Sequence, residues 1–541
     1  MVKFNKWGSV VLVAAATLML SACGGSSSSA GEKTADGKPV LTAIVTTHGL
    51  TKSNDRIEWL NRLQKKLGIK IKWEKASSDW GQKKAPMLAS GDVPDLLIGP
   101  NVVTDDEFGK YKGLFEDLSK DMDKLPNVKQ MFTDHPETKV LAQQSGGAIY
   151  GVSKYQRFWP KSATRQYINK KWLDKLGLKE PTTWDELYNV LLAFKTKDPN
   201  GNGKADEIPM DWSPVGTGGF GYFQPMVLLA STGIVPSEGG NQGYYVEDGQ
   251  VKNFFTDSRY KKVIEFLRKC WTAGLINPKA FSQDYSQYQS TGRGKGNTAL
   301  VGFSWGWEAS DRFGSALASQ YASIAPLKMS ASTSVKPVWS VEQSLNYNRN
   351  MIVLSAKSKN KKAALKFINA LYGDETSLQV LFGAIPEYIS KKDDTYTVLP
   401  PKDKAVDPGT WKWTNTWADN GPMYIRDNLK VNLGTDMKSV VEQDKALSDA
   451  YKNINPETQV YPVTFLKYSD ADNTTLANNN TVLLNQAMPK FAQWITKGGI
   501  DKDWSGYVQT LNNKSGVKQN LKIMQKAYDK YEKSDIAASI K

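Results

Sequence analysis

From Pro39 onward, short β-branched apolar runs alternate with stretches whose apolar residues recur at helical spacing. Leu41-Thr42-Ala43-Ile44-Val45 predicts a strand, Arg56 to Leu67 a helix and Ile69 to Trp73 a second strand. Trp80 to Ala89 predicts a helix, Ser90-Gly91-Asp92-Val93-Pro94 a turn and Asp95-Leu96-Leu97-Ile98-Gly99 a third strand. A second set begins near Thr164. Arg165 to Ile168 is strand-like, Lys170 to Leu176 is a helix closed by Gly177, and Thr183-Trp184-Asp185-Glu186 is a capping box. Ala299 to Phe303 and Met351 to Leu354 are further apolar strands; Asn360 to Tyr372 is an amphipathic helix, and Gly498 to Lys533 a helical tail. Such alternation predicts α/β layers around a largely parallel sheet.

The first 22 residues break this pattern. Lys3 and Lys6 precede a short apolar run, Gly8 to Leu20, and Leu20-Ser21-Ala22-Cys23 ends it, the form of a bacterial lipoprotein signal. The run is too short to span a bilayer comfortably. Cys23 is therefore expected to carry the lipid and anchor the mature chain to the outer face of a cell membrane, with a single-membrane (Gram-positive) bacterium as the fitting cell. Gly24 to Gly31, rich in serine, reads as linker within a flexible stretch 23–38.

Lys and Arg exceed Asp and Glu, for a net charge of +15, but the lysines are spread along the chain, which argues against nucleic acid. Cys270, in a helical pattern, reads as packing; with Cys23 lipidated no intramolecular disulfide can form. The 17 tryptophans change the picture more, because flat indoles both fill cores and stack on the C–H faces of sugars.

The sharpest local chemistry is Asp198-Pro199-Asn200-Gly201-Asn202-Gly203-Lys204-Ala205-Asp206-Glu207. Oxygen-bearing side chains Asp198, Asn200, Asn202 and Asp206 stand at positions 1, 3, 5 and 9, glycine at 6, and the Lys204 carbonyl at 7, as in the first part of an EF-hand loop. All donors are hard oxygens, so a structural Ca2+ is expected. Position 12 is Pro209, not a bidentate glutamate, which argues against calmodulin-like switching.

Two other motifs fail. Gly302-Phe303-Ser304-Trp305-Gly306 matches a nucleophile elbow, yet His48 and His135, the only histidines, both precede Ser304, against the order of that hydrolase fold. Gly216-Thr217-Gly218-Gly219-Phe220-Gly221 follows no strand and is only a glycine-rich loop. No catalytic residue is expected; a lipid-anchored glycosidase is the chemical alternative and a peptide receptor the binding alternative.

Several segments in order carry a resemblance: Ser90-Gly91-Asp92-Val93-Pro94-Asp95-Leu96, Tyr150-Gly151-Val152, Tyr167-Ile168-Asn169-Lys170-Lys171-Trp172-Leu173, and Ile352-Val353-Leu354-Ser355-Ala356-Lys357 before Ala363-Ala364-Leu365-Lys366-Phe367. The chain resembles the extracellular solute-binding lipoproteins (family 1) of sugar ABC importers, including the alginate- and fructo-oligosaccharide-binding receptors. The resemblance implies an α/β fold of the periplasmic-binding-protein-like type II, two discontinuous lobes around a ligand cleft: residues 39–155 plus 350–384, and residues 156–349 plus 385–541. Crossings are expected near Gly151 to Pro160, Ser344 to Met351 and Gly383 to Pro386. It implies a monomer that captures an oligosaccharide and passes it to ABC permease subunits; a neutral fructan- or glucan-type oligomer is the first expectation and a uronate oligomer the second. It also implies that Glu207 completes the calcium loop in place of the missing glutamate.

Trp305 and Trp307, followed by Glu308, stand after a strand and two residues apart, so both indoles are expected on one face as a stacking platform. Further candidates for ligand contact are Asp79 and Trp80; Tyr155, Arg157 and Trp159; Trp212, Phe220 and Tyr222; Trp339 and Glu342; and Trp411, Trp413 and Trp417.

Overall fold

The computed structural model describes residues 31–76, 80–144, 146–215, 221–237, 242–403, 408–534 and 537. Cys23, Asp79 and Phe220 lie outside them. Two main sheets organise the chain. The first has five strands in the order Lys70–Ala76, Val40–Thr46, Leu96–Ile98, Tyr347–Leu354 and Gly151–Tyr155. The first three run parallel; Tyr347–Leu354 is antiparallel to both its neighbours. The second sheet orders Tyr321–Ser323, Arg165–Asn169, Val301–Gly306 and Ile208–Asp211, with only the last pair parallel. The sheets are thus mixed and not largely parallel. The cause is connectivity: Tyr347–Leu354 returns from the second sheet and enters the first from the opposite end.

Local sequence explains the element ends. Helix Glu58–Leu67 buries Trp59, Leu60 and Leu63 and stops at Gly68, whose φ of 66° suits a residue without Cβ. Helix Lys170–Leu176 starts where the Asn169 side chain accepts from Trp172 N and ends at Gly177 with the same φ. Thr183 accepts from Glu186 N at 3.2 Å, but Glu186 reaches back to Thr182 N at 2.7 Å, one residue earlier than a capping box requires. In the turn before Leu96–Ile98, Asp95 accepts from both Thr42 N and Thr42 Oγ1 (2.8 and 3.0 Å), pinning neighbouring strands together.

Each sheet has its own apolar core. The first gathers Trp59, Ile71, Val152, Ile352, Phe367 and Ile368; the second gathers Trp172, Trp184, Phe194, Trp212, Trp305 and, from the C-terminal helices Asp470–Lys497, Ile500–Lys514 and Val517–Glu532, Trp494, Leu511 and Tyr528. Ile389, Tyr396, Trp417 and Met437 all pack in the first core, and Leu447 in the second. The last passage between cores therefore lies between Met437 and Leu447, later than the expected Gly383–Pro386. The small sheet Ile389–Lys392, Thr395–Val398 and Lys430–Asn432 belongs with the earlier part of this stretch.

Candidate functional site

A cavity of about 490 Å3 opens where segments of both cores meet. His48 and Leu50, just past the first strand, form one wall. Trp307, Glu308, Ser310 and Asp311, past the end of Val301–Gly306, form the other with Tyr285, Gln289 and Arg293 of helix Tyr285–Gly292 and its cap. Lys412 and Trp413 of helix Pro408–Asn415 and Met437 and Val440 of helix Thr435–Asp444 close it. Leu50 and Tyr285 are 52% and 50% exposed and face the same space from opposite walls. Their convergence on one concave space lined by aromatic and charged side chains is the form of a ligand pocket.

His48 tilts against Trp413, ring centroids 4.8 Å apart, and burial, then the charge of Lys75, holds its imidazole below the usual range. Trp307 meets Trp159 edge to face at 5.8 Å and 88°, and Lys412 lies 4.9 Å over the Trp159 ring. The Glu308 carboxylate caps helix Ala309–Phe313 through Ser310 N and Asp311 N, and its other oxygen accepts from Ser439 Oγ (2.6 Å) and Gln443 Nε2 (2.9 Å). It is a fixed wall of the cavity more than a free acceptor.

The expected Trp305–Trp307 platform is split. Val301–Gly306 ends between them, so Trp307 turns into the cavity while Trp305 stays fully buried, edge to face with Phe303 at 5.0 Å and holding the Tyr288 hydroxyl on its carbonyl. Trp212, Tyr222, Trp339 and Trp417 are also core residues and present no face to the cavity: Trp212 packs on Phe281, Tyr222 donates to Ser237 O, Trp339 to Thr164 O and Trp417 to Asn54 Oδ1. Tyr155 stacks on His135 at 3.7 Å and donates to Asp427; Arg157 is spent on the Arg426 and Leu429 carbonyls; Glu342 accepts from Ala163 N. Trp80 donates to Val102 O, and Trp411 tilts over Tyr388 away from the cavity. Of the candidates, Trp307, Glu308 and Trp413 come together, with Trp159 behind Trp307. Sequence reasoning missed Tyr285: one turn before fully buried Tyr288 it shares that residue's helix face, so spacing predicts it buried, and its exposure comes from standing at the first position of the helix. Leu50, Gln289, Arg293 and Met437 carry no signal in sequence.

Ser304 is fully buried within its strand, and its hydroxyl accepts from Arg312 Nε (3.0 Å), whose guanidinium also pairs with buried Asp211 at 2.7 Å. It is a structural acceptor, not an exposed nucleophile.

The Asp198 loop is closed by its own hydrogen bonds. Asp198 accepts from Gly201, Asn202 and Gly203 N, and the amides of Asn200 and Asn202 both donate to Asp206 Oδ1. Lys204 N donates to Asn202 Oδ1. Among the described residues no group of three or more His, Cys, Asp or Glu is gathered as a metal site. Glu207 Oε1, however, is buried with no hydrogen-bond partner, and burial, reinforced by the charges of Asp198 and Asp206, raises its carboxyl above the usual range. An orphaned buried carboxylate oxygen beside two others and two side-chain amides is a donor set that fits a hard divalent cation.

The family model described as bacterial extracellular solute-binding protein matches residues 53–377. The fructooligosaccharide ABC transporter substrate-binding protein FusA of Streptococcus pneumoniae is 28% identical over 490 residues, 87% of each chain. Among solved structures, an HMO-binding, ABC-transporter-associated solute-binding protein of Bifidobacterium longum infantis is 34% identical with a TM-score of 0.85, over 92% of this chain and all of that one. FusA in complex with kestose is 27% identical with a TM-score of 0.78, over 91% of this chain and 99% of that one, and an EF-hand mutant of FusA has also been solved.

Proposed function

Because the chain belongs to the bacterial extracellular solute-binding proteins, we propose that it captures an oligosaccharide outside the cell and hands it unaltered to the permease of an ABC importer. The carrying observation is the cavity in which Trp307 and Trp413 stand with half-exposed Tyr285 and Leu50 between the two sheet systems. Aromatic faces take the C–H faces of sugar rings, and convergent polar groups fix their hydroxyls. The fructooligosaccharide and HMO ligands named for the relatives support this class. A neutral fructan- or glucan-type oligomer is the first reading, in keeping with a lining in which Arg293 and Lys412 are matched by Glu308 and Asp311; an acidic, uronate-type oligomer, supported by the chain's net positive charge, is the second.

Thioether-linked lipid on Cys23 would tether the receptor to the outer membrane face, the linker letting it reach its permease. Calcium held by Asp198, Asn200, Asn202, the Lys204 carbonyl, Asp206 and Glu207 would staple the loop after helix Trp184–Thr196; the EF-hand named for the pneumococcal relative supports it. The test is a thermal-shift panel of the purified protein against kestose, malto-oligosaccharides, oligogalacturonates and short peptides. An oligosaccharide is expected to raise the midpoint, since a ligand of the folded state alone must stabilise it. A response to peptides only, or the appearance of cleaved sugar, overturns the reading.

A further inference from the structure

Trp307 rests on a charge that never reaches solvent. Arg165 is fully buried, and its guanidinium carbon lies 4.8 Å from the indole centre. Its three nitrogens are accounted for separately. Nη1 donates to the Trp307 carbonyl at 3.0 Å, while Nη2 donates to Ser162 O at 3.1 Å and to Asp444 Oδ1 at 2.9 Å. Nε is buried and has no hydrogen-bond acceptor among the described residues. A buried cation is tolerated only when paired and bonded, so the remaining electrostatic partner on this side is the π face of Trp307.

The counter-ion comes from elsewhere in the chain. Asp444 ends helix Thr435–Asp444, whose Met437 is fully buried in the first core and, with Val440, lines the cavity. The same helix fixes Glu308 through Ser439 and Gln443, and Gln443 Oε1 accepts from Tyr167 OH at 2.6 Å. One helix thus holds both neighbours of the indole, its own charged support and the next residue in the chain.

We propose that Arg165, held by Asp444, is the positioning residue that sets the Trp307 ring against the ligand cavity. A planar guanidinium can lie flat under a ring while keeping its fork on the backbone, which a lysine cannot do. The ring is then pre-organised before ligand arrives, and its ordering cost is met on folding and not on binding. This inference rests on the sugar-binding reading of the cavity, but its first test does not.

That test is 19F NMR of 5-fluorotryptophan-labelled protein without ligand, with the Trp307 resonance assigned by its loss in Trp307→Phe and a core reference by its loss in Trp212→Phe. In Arg165→Lys, and in Arg165→Met combined with Asp444→Leu so that no lone charge is buried, the Trp307 resonance is expected to shift and broaden while the Trp212 resonance holds. Asp444→Asn keeps an acceptor for Arg165 and reads the same contact should the paired variant not fold. Unmoved Trp307 resonances overturn the proposal, as does equal movement of Trp212, which would mean general loosening. The second test is a double-mutant cycle on affinity for kestose: Arg165→Lys is expected to weaken binding about tenfold in the parent and not at all in a Trp307→Ala background. A full loss in both backgrounds overturns the positioning role; absence of kestose binding by the parent reports on the choice of sugar and leaves the NMR result to decide.

Discussion

Trp159 and Trp307 meet edge to face, ring centroids 5.8 Å apart and planes at 88°. The first stands on the connector that leaves the first sheet, its Nε1 donating to Asp419 at 2.7 Å; the second stands at the end of a strand of the second sheet. A contact of this geometry joins the two lobes at the rim of the cavity itself. Trp307→Ala and Trp413→Ala are each expected to weaken oligosaccharide binding by about tenfold or more. Trp307→Ala also lowers the melting temperature because it takes the ring from buried Arg165, whereas Trp413→Ala leaves it little changed. Trp305→Ala is expected to do the reverse, destabilising by about 3–5 kcal/mol because its indole is fully buried. Isothermal titration beside thermal melting separates the two; unchanged affinity in both cavity variants would move the stacking surface elsewhere.

If the Asp198 loop holds calcium, EDTA lowers the melting temperature and added calcium restores it. At a hundredfold excess over Kd the stabilisation is about 2.7 kcal/mol, a rise of a few degrees for a chain of this size. Asp198→Ala is expected to abolish the response, because that carboxylate both organises the loop backbone and supplies the first ligand position. A flat response to EDTA and calcium in the parent would leave the loop as a turn closed by its own amides.

What sequence could predict here was whatever depends on near neighbours. Gly68 and Gly177 end their helices where the apolar spacing stops, and the strands around Leu41 and Leu96 stand where β-branched runs predict them. Burial of individual tryptophans was not legible in this way. Trp305 and Trp307 have the same spacing that would put them on one face, and only the end of the strand at Gly306 parts them. The mixed sheet and the late return after Met437 depend on how distant segments pair, which periodicity does not encode. The cavity was half legible for the same reason. Its aromatic anchors Trp307 and Trp413 stand out in composition, whereas Leu50, Arg293 and Met437 join it only through tertiary packing.

Cys270 offers a check on the second core. It is fully buried on helix Ser258–Thr272, and burial pushes its thiol up to about 12. In a soluble form beginning after Cys23, iodoacetamide at pH 8 is expected to leave the native protein unlabelled and to label one site per chain in urea. Rapid native labelling would mean that the helix opens or that its packing is different.

The lobes also meet at a carboxylate. Asp105 Oδ2 pairs with Arg349 at 2.9 Å and with Lys467 at 3.0 Å, and its Oδ1 accepts from Asn350 and Gln144 at 2.9 and 3.1 Å. Burial works to raise its pKa; the two cations and the two amides overcome that and hold it at about 2, below the usual aspartate value of about 3.9. A carboxylate depressed in the folded state contributes stability that is complete above the unfolded value and lost as pH falls through the folded one. The window is therefore pH 4 down to pH 2, and the contribution is about 2 kcal/mol. Lys467 lies in the stretch leading to helix Asp470–Lys497, so this carboxylate ties that segment to the first sheet's side, where Asp105 follows Thr104. Asp105→Asn is expected to melt lower than the parent at pH 6, with the gap closing steadily between pH 4 and pH 2 as the parent loses the same charge. A gap that stays constant across that window would assign the loss to packing and not to the charge.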